Sequence, residues 1–219
     1  MSLLDKISIA RGTDKSSIVH NYSEKYEKYL PFKRYEELNI LEIGVLNGES
    51  LRVWKDWFFN SKILGIDINK ECKQYEEDKI TIEIGSQIDG IFLSRIVQEY
   101  DPFDLIIDDG SHINGNVIYT FEHLFNSLKS GGVYVVEDSC TSYWREYGGE
   151  RYKKGSTIEY FKEKVDEVNF FGEHSEVGKY SDRRESNLIQ QFYNKKYNYI
   201  GSQFESLNFL NSMILITKR

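Results

Sequence analysis

Five runs dominated by apolar residues punctuate residues 38 to 138 of this chain, and helical patterns separate most of them. The runs are LNILEIGV (38–45), KILGIDI (62–68), ITIEIG (80–85), FDLIIDD (103–109) and GVYVVED (132–138). Between them, GESLRVWKDWFF (48–59), IDGIFLSRIVQEY (88–100) and VIYTFEHLFNSLKS (117–130) carry apolar residues at helical spacing. Strands that are apolar on both faces fit a parallel sheet covered by helices on either side, which buries both faces. The pattern therefore predicts an α/β fold. The tail, 195–219, predicts two short strands joined by a turn, an antiparallel hairpin at the sheet edge. Residues 16–30, SSIVHNYSEKYEKYL, predict an amphipathic helix with Ile18, Tyr22, Tyr26 and Tyr29 on one face, ended by Pro31.

A length of 219 residues supports one good-sized core, so a single domain is expected over 1–219. Within it, 1–37 is expected to form an N-terminal helical cap. Residues 139–190 break the strand–helix pattern and are expected to form an insertion, either a lid or an interface. Hydrophobic residues at 40% and charged residues at 29% describe a globular chain rather than a disordered one. The net charge of −7 argues against a broad nucleic-acid footprint, which needs a basic face. Cys72 and Cys140 have neither metal spacing nor a disulfide framework. The N-terminal stretch has no signal-peptide core, and no window approaches the ~18 apolar residues of a membrane span. A cytoplasmic protein without nucleic-acid or membrane partners is expected.

Ligands of open α/β sheets sit beyond the carboxyl ends of the strands. The first strand ends in LEIGVLNGES, with Glu42, Gly44 and Gly48. Gly44 permits a tight turn, and Gly48 permits a close backbone approach to a ligand or a closely packed helix start. Leu46 breaks the GxGxxG pattern, which disfavours a dinucleotide cradle. The second strand ends in Asp67, an acceptor-only group suited to both hydroxyls of a ribose. The third leads into Ser86 and Gln87, placed to meet an adenine edge. In this order they predict a nucleoside-bearing cofactor.

The fourth strand runs into Asp108, Asp109 and, past a turn, His112; the fifth ends in Glu137 and Asp138. Four carboxylates at neighbouring strand ends cannot all stay ionised without a cation. Oxygen donors without thiolates favour a hard ion, Mg²⁺ first and then Mn²⁺ or Ca²⁺. Such an ion lowers the pKa of a substrate hydroxyl, and His112 is placed to take the proton. A lone acidic pair at a strand end more often caps a helix or faces water; His112 and the second acidic pair reverse that balance. His20, His123 and His174 are expected to have ordinary surface or packing roles.

The segments GTDK (12–15), HNYSEKYEKYL, LEIGVLNGESLRVWKDWF, ILGIDI, GSQID, FDLIIDDGSH and GGVYVVEDSCTSYW together resemble the metal-dependent sugar O-methyltransferases of the macrocin and mycinamicin type. The resemblance implies a Rossmann-like class I methyltransferase fold, with a mostly parallel seven-stranded sheet. It implies S-adenosylmethionine as cofactor, its methionine part held by Glu42 and the glycine loop and its ribose by Asp67, with Asp108 nearby. It further implies Mg²⁺ held by Asp109, Glu137 and Asp138, and His112 as general base. Tyr22 is expected either to close over the cofactor or to reach a neighbouring subunit, and a homo-oligomer of at least two copies is expected. The acceptor is expected to be a sugar, as a glycoside or a nucleotide-activated sugar. Two rivals keep the fold: an iron-dependent hydroxylase, and a non-catalytic nucleoside-binding module, which would have no need of His112.

Overall fold

The computed structural model describes residues 1–168 and 203–219. Their strands form one seven-stranded sheet in the order β3-β2-β1-β4-β5-β7-β6. The parallel strands are β1 (Asn39–Ile43), β2 (Lys62–Asp67), β3 (Ile80–Ile84), β4 (Phe103–Asp108) and β5 (Leu128–Val136). β6 (Phe204–Leu210) and β7 (Met213–Lys218) form the predicted hairpin, with β7 antiparallel to β5. The strand order reverses direction between β1 and β4, so a crevice opens beyond Ile43 and Asp108.

Helices cover both faces. On one lie α1 (Leu3–Arg11), α2 (Tyr22–Tyr29) and α3 (Glu49–Trp57), where Tyr22, Tyr26, Leu51 and Trp54 pack with Ile40, Leu105 and Val135. On the other lie α4 (Gly90–Tyr100), α5 (Asn114–Leu124), α6 (Thr157–Glu163) and the short α7 (Val165–Val168), where Phe92, Phe121, Phe161 and Phe204 pack with Leu41, Ile106 and Tyr134. Burying each such side chain contributes roughly 1.5–3 kcal/mol.

The N-terminal segment departs from expectation. The helix predicted over 16–30 is shortened to α2, and α1 precedes it. α1 is capped by the Ser2 hydroxyl at its start and by Gly12, in the left-handed conformation, at its end. α2 begins only at Tyr22, because Asn21 is itself left-handed and residues 13–20 fold into turns. The Asp5 carboxylate fixes those turns by accepting from Ser17 N–H and Ser17 Oγ, both at 2.7 Å. Tyr22 and Tyr26 are therefore buried, whereas Ile18 and Tyr29 face solvent. α5 also starts earlier than predicted and gives way to a 3-10 turn at Phe125–Ser127 before β5. Part of the 139–190 insertion, from 169 to 190, lies outside the described residues, as do His174 and positions 195–202 of the tail.

Candidate active site

The alternation of side chains along a strand separates the acids that are adjacent in sequence. In β4, Leu105 and Ile107 belong to the α1–α3 face and Ile106 to the other, so Asp108 and Asp109 leave the strand on opposite sides. Asp108 turns into the α4–α5 face and is fully buried. There it accepts from Gln87 Nε2 at 3.3 Å and from the Tyr134 hydroxyl at 3.3 Å. Burial, outweighing these bonds, pushes its carboxyl up to about 7. Asp108, expected nearer the cofactor, is turned by the pleat onto the α4–α5 face, where it is bonded to Gln87.

Glu42, Asp109 and Glu137 share the other face, and the cation among them is a lysine. Lys15, buried behind the crevice, places Nζ in contact with Asp109 Oδ2, 2.5 Å from Glu137 Oε2 and 3.5 Å from Glu42 Oε1. Glu137 also accepts from the Tyr26 hydroxyl, and Glu42 from Trp54 Nε1 at 2.5 Å. Burial and then the three carboxylates act oppositely on the Lys15 ammonium; the carboxylates win, and its pKa stands well above the usual lysine value. One cation is shared by three carboxylates, two of them buried, so burial and mutual repulsion raise the pKa values of Glu42 and Glu137. Neither glutamate lines the crevice as described.

Asp109, His112 and Asp138 form the open edge. One ligand atom from each lies within 4.8 Å of the others, a spacing that a single divalent ion could span. His112 Nε2 is 3.6 Å from Asp138 Oδ2 and 3.9 Å from Asp109 Oδ1. Two carboxylates and an imidazole suit Mg²⁺ or Mn²⁺ through oxygen, with the imidazole as a further ligand or a base. Tyr22, expected at the cofactor or at a neighbouring subunit, is buried, and its hydroxyl donates to Asp138 Oδ1 at 2.5 Å.

Two neighbouring hollows, the second lined by this edge, share Gly44, Asp67 and Gly110. One, of about 330 Å³, is lined by Gly44, Asp67, Ser86, Gln87, Gly110 and Asn116, with Ile66, Ile68 and Ile88 as apolar walls. The second, of about 380 Å³, runs from Asp67 past Gly44 to Asp109, His112 and Asp138, with the 12–15 turn as its far wall. Asp67 lies where the two meet. Its Oδ2 accepts from Val45 N–H at 2.8 Å and Leu46 N–H at 3.3 Å, and its Oδ1 from Asn69 N–H at 2.8 Å. These bonds overcome the effect of partial burial and hold its pKa below the usual aspartate value. An acid with spare lone pairs between an apolar slot and a polar one fits a ribose.

Of the residues expected to meet the cofactor, Gly44, Asp67, Ser86 and Gln87 line these hollows, whereas Glu42, Gly48, Tyr22 and Asp108 do not. Gln87 is largely spent internally: Ser111 N–H donates to its Oε1 at 2.7 Å and its Nε2 donates to Thr120 Oγ1 at 3.0 Å, linking the 109–112 turn to α5. Gly48 caps α3 beneath Tyr75. Gly44, at φ 92°, is needed for a close approach within the protein as well, since a Cβ there would stand 2.1 Å from the Asp109 carbonyl oxygen. The residue that sequence reasoning missed is Lys15. Its only signal was a lysine in a glycine-led turn, with no periodicity to mark it as buried.

No family model matches the chain. Demethylmacrocin O-methyltransferase of Streptomyces fradiae is 39% identical over 154 residues, covering 67% of this chain and 39% of that protein. Mycinamicin VI 2''-O-methyltransferase of Micromonospora griseorubida is 35% identical over 154 residues, covering 67% of this chain and 38% of that protein. The chain thus spans about two fifths of the length of these curated relatives. Among solved structures, the MycE methyltransferase from the mycinamycin biosynthetic pathway, in complex with Mg and SAH, superposes with a TM-score of 0.83 at 29% identity. That match covers 98% of this chain and 54% of the other. With its sheet order, its crevice and these matched residues, the chain belongs to the macrocin and mycinamicin family of sugar O-methyltransferases and has the class I methyltransferase fold.

Proposed function

We propose that this chain transfers a methyl group from S-adenosylmethionine to a hydroxyl of a sugar ring, assisted by a divalent cation at the Asp109–Asp138 edge. The observation that carries the reading is the wall that the two hollows share: at Gly44, Asp67 and Gly110 a nucleoside-sized slot adjoins the hollow lined by Asp109, His112 and Asp138. Support also comes from relatives named for methylation of macrolide and rhamnosyl tetracenomycin sugars, and from a neighbour solved with Mg, SAH and Mycinamycin VI.

When bound, the sulfonium donor supplies an electrophilic methyl and a divalent cation supplies charge that makes a hydroxyl more acidic. The chain's own residues do the rest. Asp67, on the wall that both hollows share, would hold the ribose. Asp109 and Asp138 would hold the cation at the open edge; Glu137, expected as a third ligand, has its two oxygens turned to Lys15 and Tyr26. His112 accepts the hydroxyl proton as the C–O bond forms and the C–S bond breaks, leaving S-adenosylhomocysteine. Beside His112, Tyr147 and Trp144 present aromatic rings, with centroids 6.5 Å from His112 to Tyr147 and 5.8 Å from Tyr147 to Trp144. Their faces suit the C–H patch of a pyranose, whose hydrogens meet the negative π cloud. Buried Asn114 steadies this loop by donating to the Tyr147 carbonyl at 2.8 Å and accepting from Thr157 N–H at 2.6 Å.

The net charge of −7 agrees with a small-molecule acceptor rather than a nucleic acid. Among the described residues no helix is long and apolar enough to cross a membrane. We place the enzyme in the cytoplasm, as a homo-oligomer of at least two copies. The test is calorimetric titration with S-adenosylhomocysteine, with NAD⁺ as control, in Mg²⁺ and in EDTA. Saturable binding of S-adenosylhomocysteine alone is expected; binding of neither ligand, or of NAD⁺ in preference, overturns the reading.

A further inference from the structure

Lys15 is a buried charged group beside the acid edge to which the proposed chemistry gives no part. Its carbonyl accepts the N–H groups of Tyr22 and Ser23, each at 2.9 Å, and the Ser23 hydroxyl at 3.0 Å. The backbone is therefore pinned to the start of α2 before the side chain is considered. The side chain is 2% exposed as part of its residue, and its ammonium has donors for three acceptors but can accept nothing. It meets three carboxylates, those of Asp109, Glu137 and Glu42. Glu42 Oε1 makes no hydrogen bond in this buried setting, and the 3.5 Å ion pair with Lys15 is what faces it.

Asp109 is divided between two surroundings. Oδ2 is bound by Lys15 on the inner side, and Oδ1 faces His112 on the outer side, within the group that could hold a metal. We infer that the Lys15 ammonium is a resident counter-cation of the acid edge: it holds Asp109 and Glu137 in place in the metal-free protein, and a divalent ion arriving at Asp109 binds against its repulsion. Lys15 is thus a positioning residue that sets both the metal-free stability of the site and its metal affinity. The second half rests on the reading of Asp109, His112 and Asp138 as a metal site; the first half stands without it.

The physical reason is asymmetric. Removing the ammonium leaves buried anions without their cation, which is among the most costly single changes in a protein. It also removes a positive charge from the immediate neighbourhood of an incoming cation, where Coulomb repulsion is only partly screened. One substitution should therefore weaken the protein in EDTA and tighten its hold on metal.

The test compares the full chain with Lys15→Met and with Lys15→Met/Glu42→Gln, by thermal melts in EDTA and in MgCl₂ and by calorimetric titration with MgCl₂ alone. For Lys15→Met the melting temperature in EDTA is expected to fall by about 10 °C. Its Mg²⁺ affinity is expected to rise about tenfold, with a larger thermal gain from MgCl₂ than the parent shows. The double variant, with one inner anion removed as well, is expected to regain part of the loss in EDTA. If Lys15→Met does not fold in EDTA, recovery of a cooperative melt by the double variant supports the counter-cation role. An unchanged melting temperature in EDTA, or failure of both variants to fold with and without MgCl₂, overturns it. MgCl₂ affinity unchanged or weakened in Lys15→Met overturns the competition. Absence of Mg²⁺ binding to the parent overturns both the competition and the metal reading, while the EDTA melts still decide the counter-cation.

Discussion

His112 and Asp138 face each other with both backbones in the left-handed region, at φ 55° and 47°, and with 3.6 Å between Nε2 and Oδ2. For residues with a Cβ this conformation costs about 1 kcal/mol or more each, so the surroundings must impose it. One side chain reaches both: the Thr141 hydroxyl lies 3.1 Å from the His112 carbonyl and 2.8 Å from that of Asp138. The pair is held to face the crevice by backbone, not by chance rotamers.

Substituting His112 therefore has to respect the backbone. Asn tolerates the left-handed region, so His112→Asn removes the base and leaves the turn intact. Turnover is expected to fall about 10²-fold or more, with S-adenosylhomocysteine affinity unchanged. Turnover within a few-fold of the parent would remove His112 from the proton transfer.

Asp109→Asn keeps the size of the side chain and removes a charge shared by the metal edge and Lys15. The Mg²⁺ concentration for half-maximal activity is expected to rise about tenfold or more, measured by titrating metal into EDTA-treated protein. The same metal dependence in both proteins would mean that Asp109 serves structure alone.

Asp67 has a pH signature. Its pKa is lowered in the folded state, so the stabilisation it supplies is full above the unfolded value of about 4 and is lost as pH falls through the folded value. It stays ionised from pH 5 to 8, and S-adenosylhomocysteine affinity should not vary across that range on its account. Asp67→Asn is expected to weaken that affinity about tenfold and to flatten the acid side of the stability curve. Calorimetry and acid melts check both. An affinity equal to that of the parent would take Asp67 out of the cofactor contact.

Gly44→Ala is expected to cost about 3 kcal/mol or more in urea unfolding, because its Cβ would drive into the Asp109 carbonyl while φ is positive. A cost below about 1 kcal/mol would show that β1 and β4 can part at this point without penalty.

Trp144 is about half exposed, on the loop that Asn114 anchors. Trp144→Ala is expected to raise KM for the sugar acceptor about tenfold with little change in cofactor affinity, and Trp144→Phe to recover most of it. If KM holds steady in Trp144→Ala, the acceptor lies elsewhere.

The sheet was legible in the sequence because parallel strands buried on both faces must be apolar runs, as LNILEIGV and FDLIIDD are. The identity of the edge residues was legible for a related reason: strand ends are where such sheets expose function, so Asp67, Asp109, His112 and Asp138 stood out. Their partners were not. Lys15 comes from a turn whose shape depends on Asp5, twelve residues before Ser17, and no local pattern announces that it crosses to β4 and β5. α1 escaped notice because its buried face includes Asp5 and Ser8, polar residues that weaken an apolar stripe. Glu42 and Asp108 carried the right chemistry at the right strand ends, but their pleat directions were decided by which neighbours pack on each face.

Asp108 and Asp109 are chemically the same residue and differ in one step of the pleat. A one-residue insertion or deletion within β4 would exchange their faces, delivering the member of the pair now bonded to Tyr134 into the crevice and burying the other against the helices. What assigns each carboxylate its task is the count along the strand. Two relatives can therefore share every acid and still differ in which one works, and an alignment that shifts a single gap across this pair assigns the site to the wrong residue.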